Sequence, residues 1–180
     1  MTAPDRPTAK PVEPVLRTAT MADLPALRVL VERAYRGDTA RMGWTHEADL
    51  LDDERTTDAD LADAINDRAA RVVVLAEADG ALVGTVTVTN QGRGRSYLGM
   101  LCVDPTLQAG GLGRRLIEAA ERTACDRFGA RIMEMTVIDR RPELIAWYER
   151  RGYVLREEKR PFPVPGEHPF AMVVLEHRLG

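Results

Sequence analysis

Three runs of strand-forming residues lie so close together in this chain that little more than turns can separate them. Arg71-Val72-Val73-Val74-Leu75-Ala76-Glu77 is mostly β-branched, Leu82 to Thr89 alternates Val with Thr, and Ser96 to Val103 is a further strand. Asp79-Gly80 carries turn chemistry between the first two, which therefore form a hairpin. The Val/Thr alternation suits one buried and one wetter face. These runs read as a meander.

The pattern then changes. Asp104-Pro105 stops the third run. Leu112 to Phe128 places Leu112, Leu116, Ala120 and Ala124 in helical register, with Gly129 at its end. Ile132 to Ile138 is again a strand. Pro142 to Arg150 is a short helix with proline in its first turn. Gly152 releases the chain into Tyr153-Val154-Leu155, and Ala171 to Glu176 is the last strand. A meander beside one strand–helix–strand crossover predicts an α/β chain of mixed α+β type, a mixed sheet covered by helices.

Upstream, Val15 to Thr18 is a short strand. Thr20 caps a helix, with Asp23 three residues on as a partial capping box. Leu24, Leu27, Val31, Ala34 and Tyr35 follow at helical spacing, and a second helix starts at Asp58 with Leu61, Ala64 and Ile65 on one face. Residues 1–14 carry Pro4, Pro7, Pro11 and Pro14 and few large apolar side chains, so they read as a disordered tail. Residues 15–180 read as a single domain.

The net charge of −3 leaves no basic footprint for nucleic acid. The two cysteines, Cys102 and Cys125, form no CxxC pair and no Cys/His cluster of zinc-like spacing, so no metal site is expected. Two reduced thiols fit the cytoplasm. The N-terminus has no apolar core of a secretory signal, and no apolar run approaches membrane-spanning length.

The segment richest in chemistry runs from Leu101-Cys102-Val103 through Gln108-Ala109-Gly110-Gly111-Leu112-Gly113 to Arg114-Arg115. A strand enters a glycine turn that opens a helix. The first helical turn offers unpaired N–H groups and a positive dipole end, where a phosphate can dock. Two arginines there oppose the dipole, which an anionic ligand would explain. There is no GK[ST] as in a P-loop, and position 116 is leucine where a dinucleotide fingerprint needs glycine. A nucleotide-binding domain has only the generic glycine loop behind it.

Gln108-x-x-Gly111-x-Gly113, preceded by Val103-x-Pro105, resembles the Q/R-x-x-G-x-G/A loop of the GNAT superfamily of N-acetyltransferases. Ala146-Trp147-Tyr148-Glu149-Arg150-Arg151-Gly152-Tyr153 resembles that family's A-x-Y-E-x-x-G-F/Y segment. The resemblance implies the GNAT fold, a central mixed, mostly antiparallel sheet of about six to seven strands flanked by about four helices. It implies acetyl-coenzyme A as cosubstrate. Main chain at Leu101, Cys102 and Val103 would pair with the pantetheine arm. The loop from Gln108 through Ala109, Gly110, Gly111, Leu112 and Gly113 to Arg114 would hold the pyrophosphate. Cys102 itself reads as a small buried apolar residue.

Tyr148 matches the family's usual general acid. A phenol with a pKa of about 10 can protonate a departing thiolate whose thiol has a pKa of about 8.5. A backbone N–H such as that of Val103 would steady the oxyanion. Two departures stand out: Arg141 occupies the position of a common asparagine, and Tyr97 that of a glutamate base found in some relatives. Glu47, Glu134, Asp139 or a water chain remain as routes for the amine proton. His46, His168 and His177 read as solvated side chains.

Trp44 and Glu47 lie in a polar segment, Gly43 to Asp49, that could cradle a cationic amine. Pro161-Phe162-Pro163 could wall the same cleft. The expected activity is transfer of an acetyl group to a primary amine of a small molecule. The alternatives are a protein lysine or N-terminal acetyltransferase, and a non-catalytic acyl-coenzyme A sensor. The partners expected are a small-molecule amine and no nucleic acid or membrane. A homodimer is compatible with the resemblance, and no interface is legible in the chain.

Overall fold

The meander expected from the sequence forms one half of a seven-stranded sheet. The computed structural model of the chain describes residues 13–35, 56–108, 110–163 and 166–180. Val15–Thr18 (β1), Ala70–Ala76 (β2), Leu82–Gly92 (β3) and Arg95–Val103 (β4) run antiparallel in that order. Ile132–Ile138 (β5), Val154–Arg160 (β6) and Met172–Arg178 (β7) complete the order β1-β2-β3-β4-β5-β7-β6. Only β4 and β5 are parallel neighbours.

The crossover between them is Leu112–Phe128 (α3), which packs on one face of the sheet beside Pro142–Glu149 (α4). Its buried stripe is Leu116, Ile117, Ala119, Ala120 and Ala124, and Gly129 ends it in the left-handed region with φ 61°. Leu98, Met133, Met135, Val137, Tyr148 and Tyr153 share this core. A fully buried leucine such as Leu116 contributes about 2 kcal/mol of transfer free energy to it.

Leu24–Tyr35 (α1) and Asp58–Asn66 (α2) cover the other face, over Val72, Val74 and Cys102. Alternation along the strands decides which residues face which helices. The Thr20 N–H donates to Asp23 Oδ2 at 2.8 Å before α1, so the partial capping box is made. A second box, unnoticed in the sequence, caps α2. Thr57 Oγ1 accepts from the Asp60 N–H at 3.1 Å, and the Thr57 N–H donates to Asp60 Oδ2 at 2.9 Å.

β6 differs from expectation. The sequence suggests an extended piece only at 153–155, yet the strand runs to Arg160. It is an edge strand, exposed along nearly all its length, so no alternation marks it.

Glu134 on β5 is 5% exposed, and Arg95 Nη2 and Arg160 Nη1 donate to it at 2.9 and 2.6 Å. Arg95 also pairs with Glu176, and Arg160 with Glu158. Burial alone would raise the Glu134 pKa; hydrogen bonds from Arg160 and Arg95 outweigh it and set it below the ordinary value. A depressed carboxyl stabilises the fold above the unfolded value of about 4.3, and that contribution disappears as pH falls through the folded value. Glu134→Gln should therefore destabilise the protein at pH 7 by about 3 kcal/mol. The loss should shrink below pH of about 4. Urea unfolding at both pH values checks this, and an equal effect at both would contradict it.

Candidate active site

β4 leaves the sheet's regular pairing halfway along its length. It pairs with β5 only from Arg95 to Tyr97, opposite Ile132 to Glu134. β5 continues paired with β7 as far as Ile138, and β4 continues paired with β3 as far as Val103. The two parallel strands therefore part beyond Tyr97. The cause lies in β4. Its register with β3 slips between Thr85↔Cys102 and Thr87↔Gly99, which leaves one extra residue in β4. Met100 there has φ 49°. A bulged residue in the left-handed region bends its strand, and for a methionine that conformation costs free energy.

The bulge frees main-chain groups, and one of them is claimed by α1. The Tyr35 hydroxyl donates to the Leu101 carbonyl at 2.6 Å. Cys102 is buried in the α1 core, in keeping with its reading as an apolar residue, and Val103 is buried on the opposite side. The glycine loop follows directly at the open end of the parted strands. Asp104 Oδ1 accepts from the Thr106 N–H at 3.0 Å and starts the short turn Pro105–Leu107. Gln108 Nε2 lies 3.5 Å from the Val103 carbonyl. Gly111 is the N-cap of α3 with φ 78°, a conformation glycine adopts without a Cβ clash.

The two sequence motifs meet at Gly113. A Cβ there would stand 3.4 Å from the Trp147 ring, so the first turn of α3 lies in close contact with α4 at this position. The Arg151 guanidinium lies 3.5 Å from the centre of the same ring, and Arg151 Nη1 donates to the Trp147 carbonyl at 2.6 Å. Arg151 Nε is buried without a hydrogen-bond partner among the described residues. Burial, then the charges of Arg150 and Arg114, push the Arg151 pKa down. Cations thus crowd the loop. Arg114 has one carboxylate nearby, Glu118 at 3.3 Å. Arg115 does not join them as the sequence suggested. Its Nη2 donates to the Pro14 carbonyl at 2.7 Å, which draws it toward the start of β1.

Tyr148 sits in the core between Trp147 and Tyr153, edge-on to both at 4.9 and 5.7 Å between ring centres. Burial, reinforced by the nearby Tyr97, drives its pKa far above that of a free phenol, and the charges of Arg151 and Arg141 offset only part of this. The hydroxyl therefore stays protonated at any physiological pH. Arg141, buried at the N-cap of α4, is paired with Glu143 at 2.7 Å.

Two of the expected proton acceptors are already engaged. Glu134 is held by two arginines, and Asp139 lies 3.4 Å from Lys159 Nζ and accepts from the Ala171 N–H at 3.3 Å. Glu47, Trp44, His46 and Ala109 lie outside the described residues. His177 is not simply solvated: its Nδ1 is 2.8 Å from Glu121 Oε1. His168 packs edge-on to Phe162. Phe162 packs with Phe170 and Met172 against Ile138, at the diverging end of β5. Sequence reasoning missed the Tyr35 contact and the Arg151 stack. The i,i+4 spacing of Trp147 and Arg151 was the available signal for the latter.

The sequence matches the acetyltransferase (GNAT) family over residues 27–153, more than half of its length, and the chain belongs to that family of acyltransferase enzymes. Among proteins of curated function, no sequence matches it. Its fold is similar to that of the ribosomal-protein-S18-alanine N-acetyltransferase from Escherichia coli, at 18% identity and TM-score 0.71, covering 93% of this chain and 94% of that one. Spermidine N-acetyltransferase from Vibrio cholerae, solved with CoA and spermine, is similar at 17% identity and TM-score 0.69, covering 93% and 96%. A GNAT-family acetyltransferase from Streptococcus pneumoniae is similar at 18% identity and TM-score 0.68, covering 92% and 99%.

The αL geometry at position 111 gives a direct check. Gly111→Ala should cost about 1 kcal/mol of stability. Gly111→Asn should cost less, because Asn tolerates that region. Chemical denaturation measures both, and an Ala variant as stable as the parent would contradict the assignment.

Proposed function

We propose that this enzyme transfers an acetyl group from acetyl-coenzyme A to a primary amine of a small molecule. The observation that carries this reading is the parted β4–β5 pair, whose free main chain leads from a cation-rich glycine loop toward a buried, protonated Tyr148. Unpaired strand edges favour an extended, amide-bearing guest that adds itself as a strand, which suits a pantetheine arm. Leu101, Cys102 and Val103 supply that edge. Gln108, Ala109, Gly110, Gly111, Leu112, Gly113 and Arg114 form the loop for the pyrophosphate. The crowding of Arg114, Arg150 and Arg151 supports the assignment, since a bound dianion relieves it.

The cosubstrate supplies an acetyl group activated as a thioester. Tyr148 keeps its proton until negative charge develops on the departing sulfur, and gives it there. Main-chain N–H groups near the bulge, that of Val103 among them, steady the carbonyl oxygen as it gains charge. The amine proton has no assigned carboxylate receiver among the described residues. Trp44 and Glu47 remain our candidates for the acceptor pocket. The spermidine enzyme is named for a small amine and the ribosomal enzyme for a protein acceptor. We favour the small amine, with a protein amine as the alternative. Residues 15–180 are taken as one catalytic domain. The two unbridged cysteines suit the cytoplasm.

Thiol release from acetyl-coenzyme A, measured against a panel of amines and short peptides, tests the activity. Tyr148→Phe should lower kcat by about 100-fold while cosubstrate affinity stays near that of the parent. Gly111→Glu should abolish cosubstrate binding, because a carboxylate would meet the pyrophosphate. Full turnover in the first variant, or unchanged affinity in the second, removes the corresponding role.

A further inference from the structure

The mouth of the parted strands is bridged on the α1 face by two hydroxyls that the functional reading does not use. Tyr97 forms the last rung between β4 and β5, opposite Glu134. Its neighbour Leu98 belongs to the α3 core, as do Met135 and Val137 of β5. Tyr97 and Thr136 therefore project from the opposite face, the one α1 and α2 cover further along the sheet. The Tyr97 hydroxyl does not stay over its own partner. It reaches one step further along β5, and its oxygen lies 2.7 Å from Thr136 Oγ1. The bond spans the gap at the point where it opens.

Position 99 is glycine, and a Cβ there would stand 3.4 Å from the Tyr97 ring. The ring lies alongside Gly99, next to the bulge at Met100. Beyond the bulge, the Leu101 carbonyl is already bound by Tyr35.

We propose that the Tyr97–Thr136 hydroxyl pair seats the acceptor's amino group, accepting one N–H so that the nitrogen lone pair faces the acyl carbon. This rests on the acetyl-transfer reading and deepens it. The hydrogen-bond inventory fits. Two hydroxyls bonded to each other retain one donor hydrogen and three lone pairs. A neutral primary amine brings two N–H donors and one lone pair that must stay free to attack. Free lone pairs on the two oxygens take an N–H and leave that attack unobstructed. Glu134, the carboxylate beside them, is held by Arg95 and Arg160 and does not compete for the amine. The acceptor is accordingly a primary amine that is uncharged when it attacks, recognised at its nitrogen by neutral oxygens.

The test is steady-state kinetics on the full chain, with both substrates varied, for the parent, Tyr97→Phe, Thr136→Val and the double variant. Melting temperatures confirm that each folds. Tyr97→Phe should lower kcat/KM for the acceptor by about tenfold. Its KM for acetyl-coenzyme A should be unchanged. Thr136→Val should act in the same direction by about threefold. The double variant should be no worse than Tyr97→Phe alone, because the pair acts as one unit. An active parent whose Tyr97→Phe variant keeps its acceptor kinetics, or changes only the KM for acetyl-coenzyme A, overturns the seat and leaves the enzyme reading standing. A parent that releases no thiol with any amine overturns both.

Discussion

A methionine held at φ 49° in the middle of a buried strand is an expensive arrangement. Met100 takes it because β4 fits one more residue than β3 can pair. The strand bends there and leaves β5 after three rungs. Everything that makes this sheet more than a support follows from that bend. In the gap between the two parallel strands, main-chain N–H and C=O groups of β4 face no partner strand among the described residues. Tyr35 settles the Leu101 carbonyl from the α1 side.

The two motifs recognised in the sequence are one object in space. Gly113 lies against Trp147 in the first turn of α3, and Trp147 in turn carries Arg151 on its ring. The same helix that presents Trp147 to the loop presents Tyr148 to the core, one residue on. The cations at the loop repel one another, and Arg151 Nε is buried with no hydrogen-bond partner among the described residues. A protein tolerates such a cost where a ligand removes it.

Much of the fold was legible because burial imposes periodicity. The apolar stripe of α3 announces which face is covered. The Val/Thr alternation of β3 pointed to a wetter face that does not exist: helices cover both faces of the sheet, and Thr85 and Thr87 are buried like the valines beside them. β6 announced nothing, since an exposed edge strand has no buried face to mark. The two segments that resemble the family are the glycine turn into α3 and the helix α4. Arg115 was misread because adjacent residues in a helix point about 100° apart, and one faces the loop's exposed side while the next reaches Pro14. Glu134 looked available as a proton acceptor because its two arginines are far from it in sequence, at 95 and 160. The Tyr97–Thr136 bridge was hidden for the same reason: only the register of two parallel strands brings those residues together.

The central claim is that the gap between β4 and β5 receives an extended cosubstrate, with its phosphates on the loop before α3. Backbone hydrogen exchange, followed with and without acetyl-coenzyme A, addresses that claim residue by residue. Amides of residues 98–103 and 110–114 should slow together on addition, while those of β2, already paired on both sides, should not change. Protection confined to other parts of the chain, or none at all at saturating cosubstrate, would contradict the account.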